Sequence, residues 1–297
     1  MIQHSFPTRR SSDFTGVIPT NWRIASFSGL VAASADELPD HDSEMRTATP
    51  VQTPVEAKGI FSFPRGTKAG TCLHQVFEEL DFTQTDDAEL RRLVESKLRL
   101  HGIPRDEFAP DVCHMVRRAL ATPLDMARED FTLSRVPRSE RFPELEFFLP
   151  VRELTPALLR HGLAPAGEDV VARLGALGFK PAGGFLKGFI DLVFRFEDRF
   201  YIVDWKSNWL GPRVEDYGPA AMRAEMARKF YALQAHLYVV ALHEYLRLRL
   251  PGYRYDEHFG GVLYVFLRGL DPARPELGVY RDRPEAATIE ALARSLS

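Results

Sequence analysis

The stretch that most limits how this chain can fold is "GFLKGFIDLVFRFEDRFYIVDWKSN", Gly184 to Asn208. Two runs rich in β-branched and aromatic residues are joined by the short polar "EDR", the signature of a β-hairpin. In the second run Asp204 and Lys206 stand two residues apart, so alternation along a strand aims both at one face. With a Glu197-Asp198 turn, Asp191 lies opposite Asp204; with an Asp198-Arg199 turn, it lies opposite Lys206. Either register gathers Asp191, Asp204 and Lys206 on one side of the sheet, whereas a three-residue loop without a bulge does not. Two neighbouring carboxylates repel, and burial makes ionising both costly. A divalent cation between them removes that cost, and magnesium needs only a few protein ligands besides water and phosphate. A lysine beside such a site stabilises an attacking hydroxide or the charge building on a phosphate. The ordinary alternative is a solvent-facing strand with a plain Asp–Lys pair, since D-x-K is common on its own.

The rest of the chain is compatible with a globular fold of this kind. It has 297 residues, 45% of them apolar and 27% charged, enough to bury a core. The net charge of −3 argues against a generally basic nucleic-acid coat, though not against a local basic groove. Cys72 and Cys113 are too few for a disulfide framework or a four-thiolate zinc or iron–sulfur centre. No apolar run reaches the length of a membrane span and no signal peptide is visible, which makes a cytoplasmic protein the default.

Along the chain, "SFPTRRSSD" (Ser5 to Asp13) has no periodicity and reads as the translation of a sequencing-adapter oligonucleotide or as a disordered basic tail. On the first reading residues 1–20 are foreign, Met1 is not a native start and the native protein extends upstream. A short apolar segment follows at Asn21 to Ser34, then a solvated linker over 35–69. Organised sequence begins at "GTCLHQVFEELDF", with Thr71 as N-cap of a helix carrying Leu73, Phe77 and Leu80. Charged helical segments run to about Leu120, and "ELEFFLPVREL" (Glu144 to Leu154) reads as a strand. Leu163 to Leu177 is loosely helical or irregular.

After the hairpin, Pro219 opens one long helical pattern through Met222, Met226, Phe230, Leu233, Leu237 and Val240, ended by Pro251-Gly252. On it Gln234 and Tyr238 are neighbours on one face; the bland reading is a core tyrosine and an outward glutamine. Phe259 to Gly269 is a further buried strand and Pro284 to Ser297 a closing helix. His74, four residues before Glu78, is by itself more often a surface pair than a metal ligand. "GTKAGT" (Gly66 to Thr71) lacks the order of a phosphate-loop lysine motif.

Assembled in order, "GTCLHQVFEELDFTQ", "GFLKGFIDLVFR", "DWKSNWLG", "LQAHLY" and "EHFGGVLYVFLRG" resemble the PD-(D/E)xK nuclease superfamily, and within it the C-terminal nuclease domains of RecB-type subunits of exodeoxyribonuclease V. The resemblance runs from about Trp22 to the C-terminus and is strongest from Gly183 to Leu270. It implies an α/β, restriction-endonuclease-like fold over residues 70–297, a central mixed sheet flanked by helices. It implies magnesium-dependent hydrolysis of DNA phosphodiesters in double-strand-break repair and recombination. His74, Asp191, Asp204 and the main-chain carbonyl of Trp205 would hold the metal. Lys206 would be the catalytic lysine, and Gln234 and Tyr238 match a Q-x-x-x-Y element along the site. Glu146 resembles an acidic position near it. Ile190 stands where the superfamily name has proline, a departure that RecB-type sequences share.

RecB-type proteins carry a helicase ahead of this domain, but no Walker A motif is present here. Residues 21–69 then read as the segment leading out of the helicase region plus the tether. The implied partners are DNA, RecC- and RecD-like subunits and a RecA-type recombinase, with no membrane. Arg223, Arg228, Lys229 and Arg247 are candidates for tracking phosphates or for merely solvating the helix. A second reading is a catalytically silent docking module for partner subunits and recombinase loading, which would not need Asp191, Asp204 and Lys206 intact. Iron–sulfur relatives of the superfamily need four cysteines, which this chain lacks.

Overall fold

The computed structural model describes residues 22–32, 57–84, 86–164, 171–172, 174–175, 177–179 and 182–296. The stretch read as foreign or disordered and most of the tether lie outside them. Trp22–Ser26 forms β1 and runs into α1, Phe27–Ala32. Three helices follow: α2 (Thr67–Glu79), α3 (Asp87–Leu100) and α4 (Arg105–Ala121). The long strand β2 (Arg141–Leu154) precedes α5 (Pro156–Gly162) and the hairpin strands β3 (Ala182–Phe196) and β4 (Arg199–Lys206). Helices α6 (Pro219–Arg228), α7 (Tyr231–Arg249) and α8 (Tyr255–His258), strands β5 (Phe259–Phe266) and β6 (Val279–Asp282), and helix α9 (Ala286–Leu296) complete the chain.

The strands form one mixed six-stranded sheet in the order β1-β3-β4-β5-β6, with β2 also paired to β3. Helices cover both faces, the α/β restriction-endonuclease-like arrangement expected from the sequence. One core joins the sheet to α6, α7 and α9 through residues such as Ile202, Tyr264, Met226, Leu237 and Ile289. The other joins it to α2, α3 and α4 through Val203, Trp205, Leu73, Val94 and Val116.

Register decides where the site falls. The hairpin pairs Leu192 with Val203 and Phe196 with Arg199, which is the Glu197-Asp198 alternative. Both turn residues have positive φ, 48° and 62°, as a type I′ turn requires. Along its other edge β3 pairs with β2 from Ala182 to Phe194. Parallel β1, ending at Ser26–Lys187, and antiparallel β4, ending at Leu192–Val203, therefore share one edge of β3. Their carboxyl ends point at each other across residues 188–191, which pair with neither. Crevices outside the carboxyl ends of strands are where α/β sheets place ligands.

Strict alternation does not carry through Asp191. Leu186, Ile190 and Val193 enter one core, Leu192 and Phe194 the other, so facing inverts between 190 and 193. Opposite that inversion, between the Pro143–Leu192 and Leu145–Ile190 pairs, Glu144 adopts a left-handed φ of 46°. Such local kinks in a ribbon re-aim side chains.

Two helix expectations change. Helix α2 starts at Thr67 with Gly66 as N-cap, and Thr71 lies inside it, its hydroxyl bonded to the Thr67 carbonyl. The single helix expected after Pro219 is two, broken where Phe230 takes φ 57°.

Candidate active site

Helix α2 carries its apolar residues, among them Cys72, Leu73, Val76 and Phe77, onto the sheet. Phe77 stacks on the Trp205 ring with centroids 4.3 Å apart. That contact seats His74, one turn earlier, at the end of β4. His74 Nε2 donates to the Trp205 carbonyl at 2.9 Å, and its Nδ1 lies 3.6 Å from Asp191 Oδ2. The same Asp191 oxygen accepts the Trp205 N–H at 2.8 Å. Asp191 thus stands in for the ladder bond that the sheet lacks just beyond Leu192. The imidazole, the carboxylate and the carbonyl form one constellation.

Asp204 and Lys206 face the other core. Lys206 Nζ is 2.9 Å from Asp204 Oδ2 and donates to Gln234 Oε1 at 3.4 Å. It sits 3.7 Å from the Tyr231 ring centroid and 5.4 Å from that of Tyr264, short cation–π distances. Both charged side chains are almost fully buried, 3% exposed for Asp204 and 7% for Lys206. Gln234 accepts from the Tyr264 hydroxyl at 2.9 Å and donates to the Tyr238 hydroxyl at 3.1 Å. Tyr238 is edged by Phe147 at 5.7 Å, whose ring lies on Gly188; a Cβ there would meet it at 2.5 Å. Past the strand, Asn208 donates to Glu225, which also binds Arg228, and so anchors the "KSN" turn to α6.

Both constellations open onto one cavity of about 480 Å³, with Ser26 and Phe27 at the end of β1, and Lys187, Phe189 and Glu144 on its walls. His74, Asp191, Asp204, Trp205, Lys206, Gln234 and Tyr238, expected from sequence to hold the metal or act in catalysis, meet there. Glu146 does not. It pairs with Lys187 at 2.6 Å, and Glu144 is the β2 carboxylate that lines the cavity. Burial first, and the Glu144 carboxylate second, raise the Glu78 carboxyl above its ordinary range, a sign of crowded negative charge beside His74. Arg223, Arg228, Lys229 and Arg247 do not line the cavity; Arg228 pairs with Glu225 and Arg247 with Glu244. Tyr231 and Tyr264 were not singled out from sequence. Tyr231 precedes Gln234 by three on the same helix face. Tyr264 neighbours Asp204 only through the β4–β5 pairing.

Among the described residues no three His, Cys, Asp or Glu side chains form a metal cage. The donors present are the Asp191 and Asp204 carboxylates, with that of Glu144 on the wall, an imidazole already engaged by a carbonyl, and that carbonyl. This set fits a hard cation that takes most of its ligands from water and phosphate, and does not fit an all-protein zinc or calcium site. No helix among the described residues is long and apolar enough to cross a membrane.

The comparisons agree with the geometry. RecBCD enzyme subunit RecB of Escherichia coli K12 is 40% identical over 275 residues, 91% of this chain and 22% of that protein. The subunit of the same name from Haemophilus influenzae Rd is 31% identical over 302 residues, 95% of this chain and 24% of its own. That of Mycolicibacterium smegmatis is 33% identical over 325 residues, 95% of this chain and 30% of its own. The chain spans less than a third of the length of each of these relatives. Residues 55–297 match the model of the PD-(D/E)XK nuclease superfamily, and the chain belongs to that family.

Proposed function

We propose that this chain hydrolyses DNA phosphodiesters with Mg2+ as the nuclease part, read as residues 70–297, of an exodeoxyribonuclease V of the RecBCD type. In this reading it works in the cytoplasm, in double-strand-break repair and recombination. The observation that carries it is the meeting of Asp191, His74 and the Trp205 carbonyl with the buried Asp204–Lys206 pair in one cavity. Mg2+ held by His74, Asp191, Asp204 and the Trp205 carbonyl would supply positive charge to the scissile phosphate and acidify water. Lys206, fixed between Asp204 and Gln234, offers its ammonium to the charge that grows on the phosphoryl oxygens. Gln234 and Tyr238 orient Lys206 and the incoming phosphate through their shared hydrogen bond. Glu144 adds a carboxylate on the opposite wall.

The relatives' printed name makes them subunits of a RecBCD enzyme. From it we infer RecC- and RecD-like partners, and a RecA-type recombinase as a further one. A silent docking module remains the rival, and the intact Asp191, Asp204 and Lys206 weigh against it. Titration of labelled DNA cleavage with Mg2+, in the absence of ATP, separates the two. The nuclease reading expects metal-dependent cleavage, abolished by EDTA and by Asp204→Ala. Strict dependence on ATP, or full activity of Asp204→Ala, overturns it.

A further inference from the structure

Beyond the cavity the β2–β3 ribbon continues as a sheet face that carries exposed large side chains. Opposed residues share a face, so the register lays out successive rungs. Glu146 faces Phe189, Phe148 faces Lys187 and Pro150 faces Phe185, with Ile24 of β1 beside Phe185. The alternate residues Leu186, Ile190 and Leu149 are buried in the core on the other side. This face exposes large apolar groups: Phe189 is 46% exposed, Phe148 49% and Ile24 67%. Lys187 stands among them, its Nζ 5.1 Å from the Phe189 ring centroid and 5.2 Å from that of Phe148. Glu146 meets Lys187 at 2.6 Å and neutralises part of its charge. Phe185 meets Phe148 edge-on at 6.4 Å. The strip is continuous with the cavity, because Phe189 and Lys187 line both.

A ligand that crosses this strip into the cavity meets flat apolar rings, a rung of about 7 Å apart by strand geometry, and a cation between them. Unpaired bases on a phosphate backbone have that chemistry: every base offers a face to stack, and the linking phosphates want a cation. In a duplex the base faces are already stacked and cannot reach the rings. We propose that Phe189, Phe148 and Phe185, with Lys187 among them, form a stacking track for a single nucleic-acid strand entering the cavity. The proposal rests on the nuclease reading of that cavity and adds to it the residues that select unpaired bases.

Fluorescence anisotropy of the chain in metal-free buffer tests it with a labelled thymidine oligonucleotide and an abasic strand of equal length. The base-bearing strand should bind about tenfold tighter. Phe148→Leu and Phe189→Leu keep apolar bulk but lose the flat ring, and each should shrink that ratio severalfold. Lys187→Gln should weaken both strands alike. Circular dichroism melting checks that the variants fold. Equal affinity of the unaltered chain for both strands, or leucine variants that keep the full ratio, overturns the track. A strip that instead docks a protein gives that same overturning result. Cleavage with Mg2+ is read separately: its absence removes the nuclease reading, whereas an absent base preference removes only the track.

Discussion

Lys206 is the residue on which the site turns. It lies buried beside Asp204 Oδ2 at 2.9 Å, with the Tyr231 ring beneath it. Removing one partner of a buried pair strands the other, at a cost of about 3–5 kcal/mol. Lys206→Met should therefore abolish cleavage and lower unfolding free energy by about 3 kcal/mol, and adding Asp204→Asn should recover most of that loss. Urea denaturation of the two singles and the double checks it; additive losses would mean the pair is not coupled. Much of the site was readable residue by residue. Asp191, Asp204 and Lys206 share a hairpin, and Gln234 and Tyr238 share a helix face, so each group was readable by itself; the resemblance joined the groups, and the inversion at 190–193 turns Asp191 toward His74 rather than onto the face of Asp204 and Lys206 that alternation predicts. Glu144 was not readable in this way, because its left-handed φ departs from strand alternation, and the resemblance had pointed to Glu146 instead. No glycine marks the spot. Tyr264 was hidden for a different reason: only the parallel pairing of strands 60 residues apart brings it to Asp204.

At the scale of elements, the β3–β4 hairpin was the most legible part, and its turn is still imperfect. Asp198 holds φ 62°, a conformation in which glycine carries no Cβ penalty. Its side chain is exposed and makes only a 3.8 Å contact with Arg195. Asp198→Gly should raise stability by about 0.5 kcal/mol, or leave it level if the freer unfolded chain offsets the relief, and should not lower it by more than a few tenths. A loss above 1 kcal/mol in chemical denaturation would mean the Arg195 contact matters more than the backbone. The break between α6 and α7 was illegible because Met226, Phe230 and Leu233 keep their apolar spacing through it, and Phe230 is neither glycine nor proline. Strand β1 was equally silent, a short segment whose partner lies far along the chain. So was Arg268. This side chain, 1% exposed, donates to the carbonyls of Ser207, Ile60, Phe63 and Pro64, tying the approach to α2 to the turn after Lys206. Arg268→Met leaves those carbonyls buried without their donor and should cost more than about 3 kcal/mol, since each orphaned group costs about 1–3. A thermal melt within a degree or two of the parent would show that water replaces the guanidinium there.

For the whole molecule, one sheet divides two apolar cores, so charging a group inside either core weakens the entire fold. Burial pulls His236 and His243 below the ordinary imidazole value; Asp282 opposes this for His236 and Glu244 for His243. Burial likewise lowers His101, with Lys68 and Lys97 adding to it. A histidine whose folded pKa is depressed contributes stability that is present above the unfolded value of about 6.5 and lost as pH falls through it. Asp282 runs the other way. Burial raises its carboxyl, against the pull of His236, so its contribution is present at low pH and lost as pH rises through the folded value. The Glu78 carboxyl, also raised by burial, acts in the same sense as Asp282; the three histidines, whose unfolded value lies inside the window, outweigh both, and melting temperature should fall as pH drops from about 7.5 to 5.5. His236→Gln retains a donor for the Ala232 carbonyl, which His236 Nδ1 meets at 2.7 Å, and should flatten the fall. Asp282→Asn should steepen it, because a group that gains stability on acidification is gone and His236 loses the carboxylate that favours its charged form. Scanning calorimetry of the three proteins at several pH values decides the matter. Parallel curves would place the acid sensitivity outside this buried pair, whereas opposite changes in slope would locate it between α7 and β6.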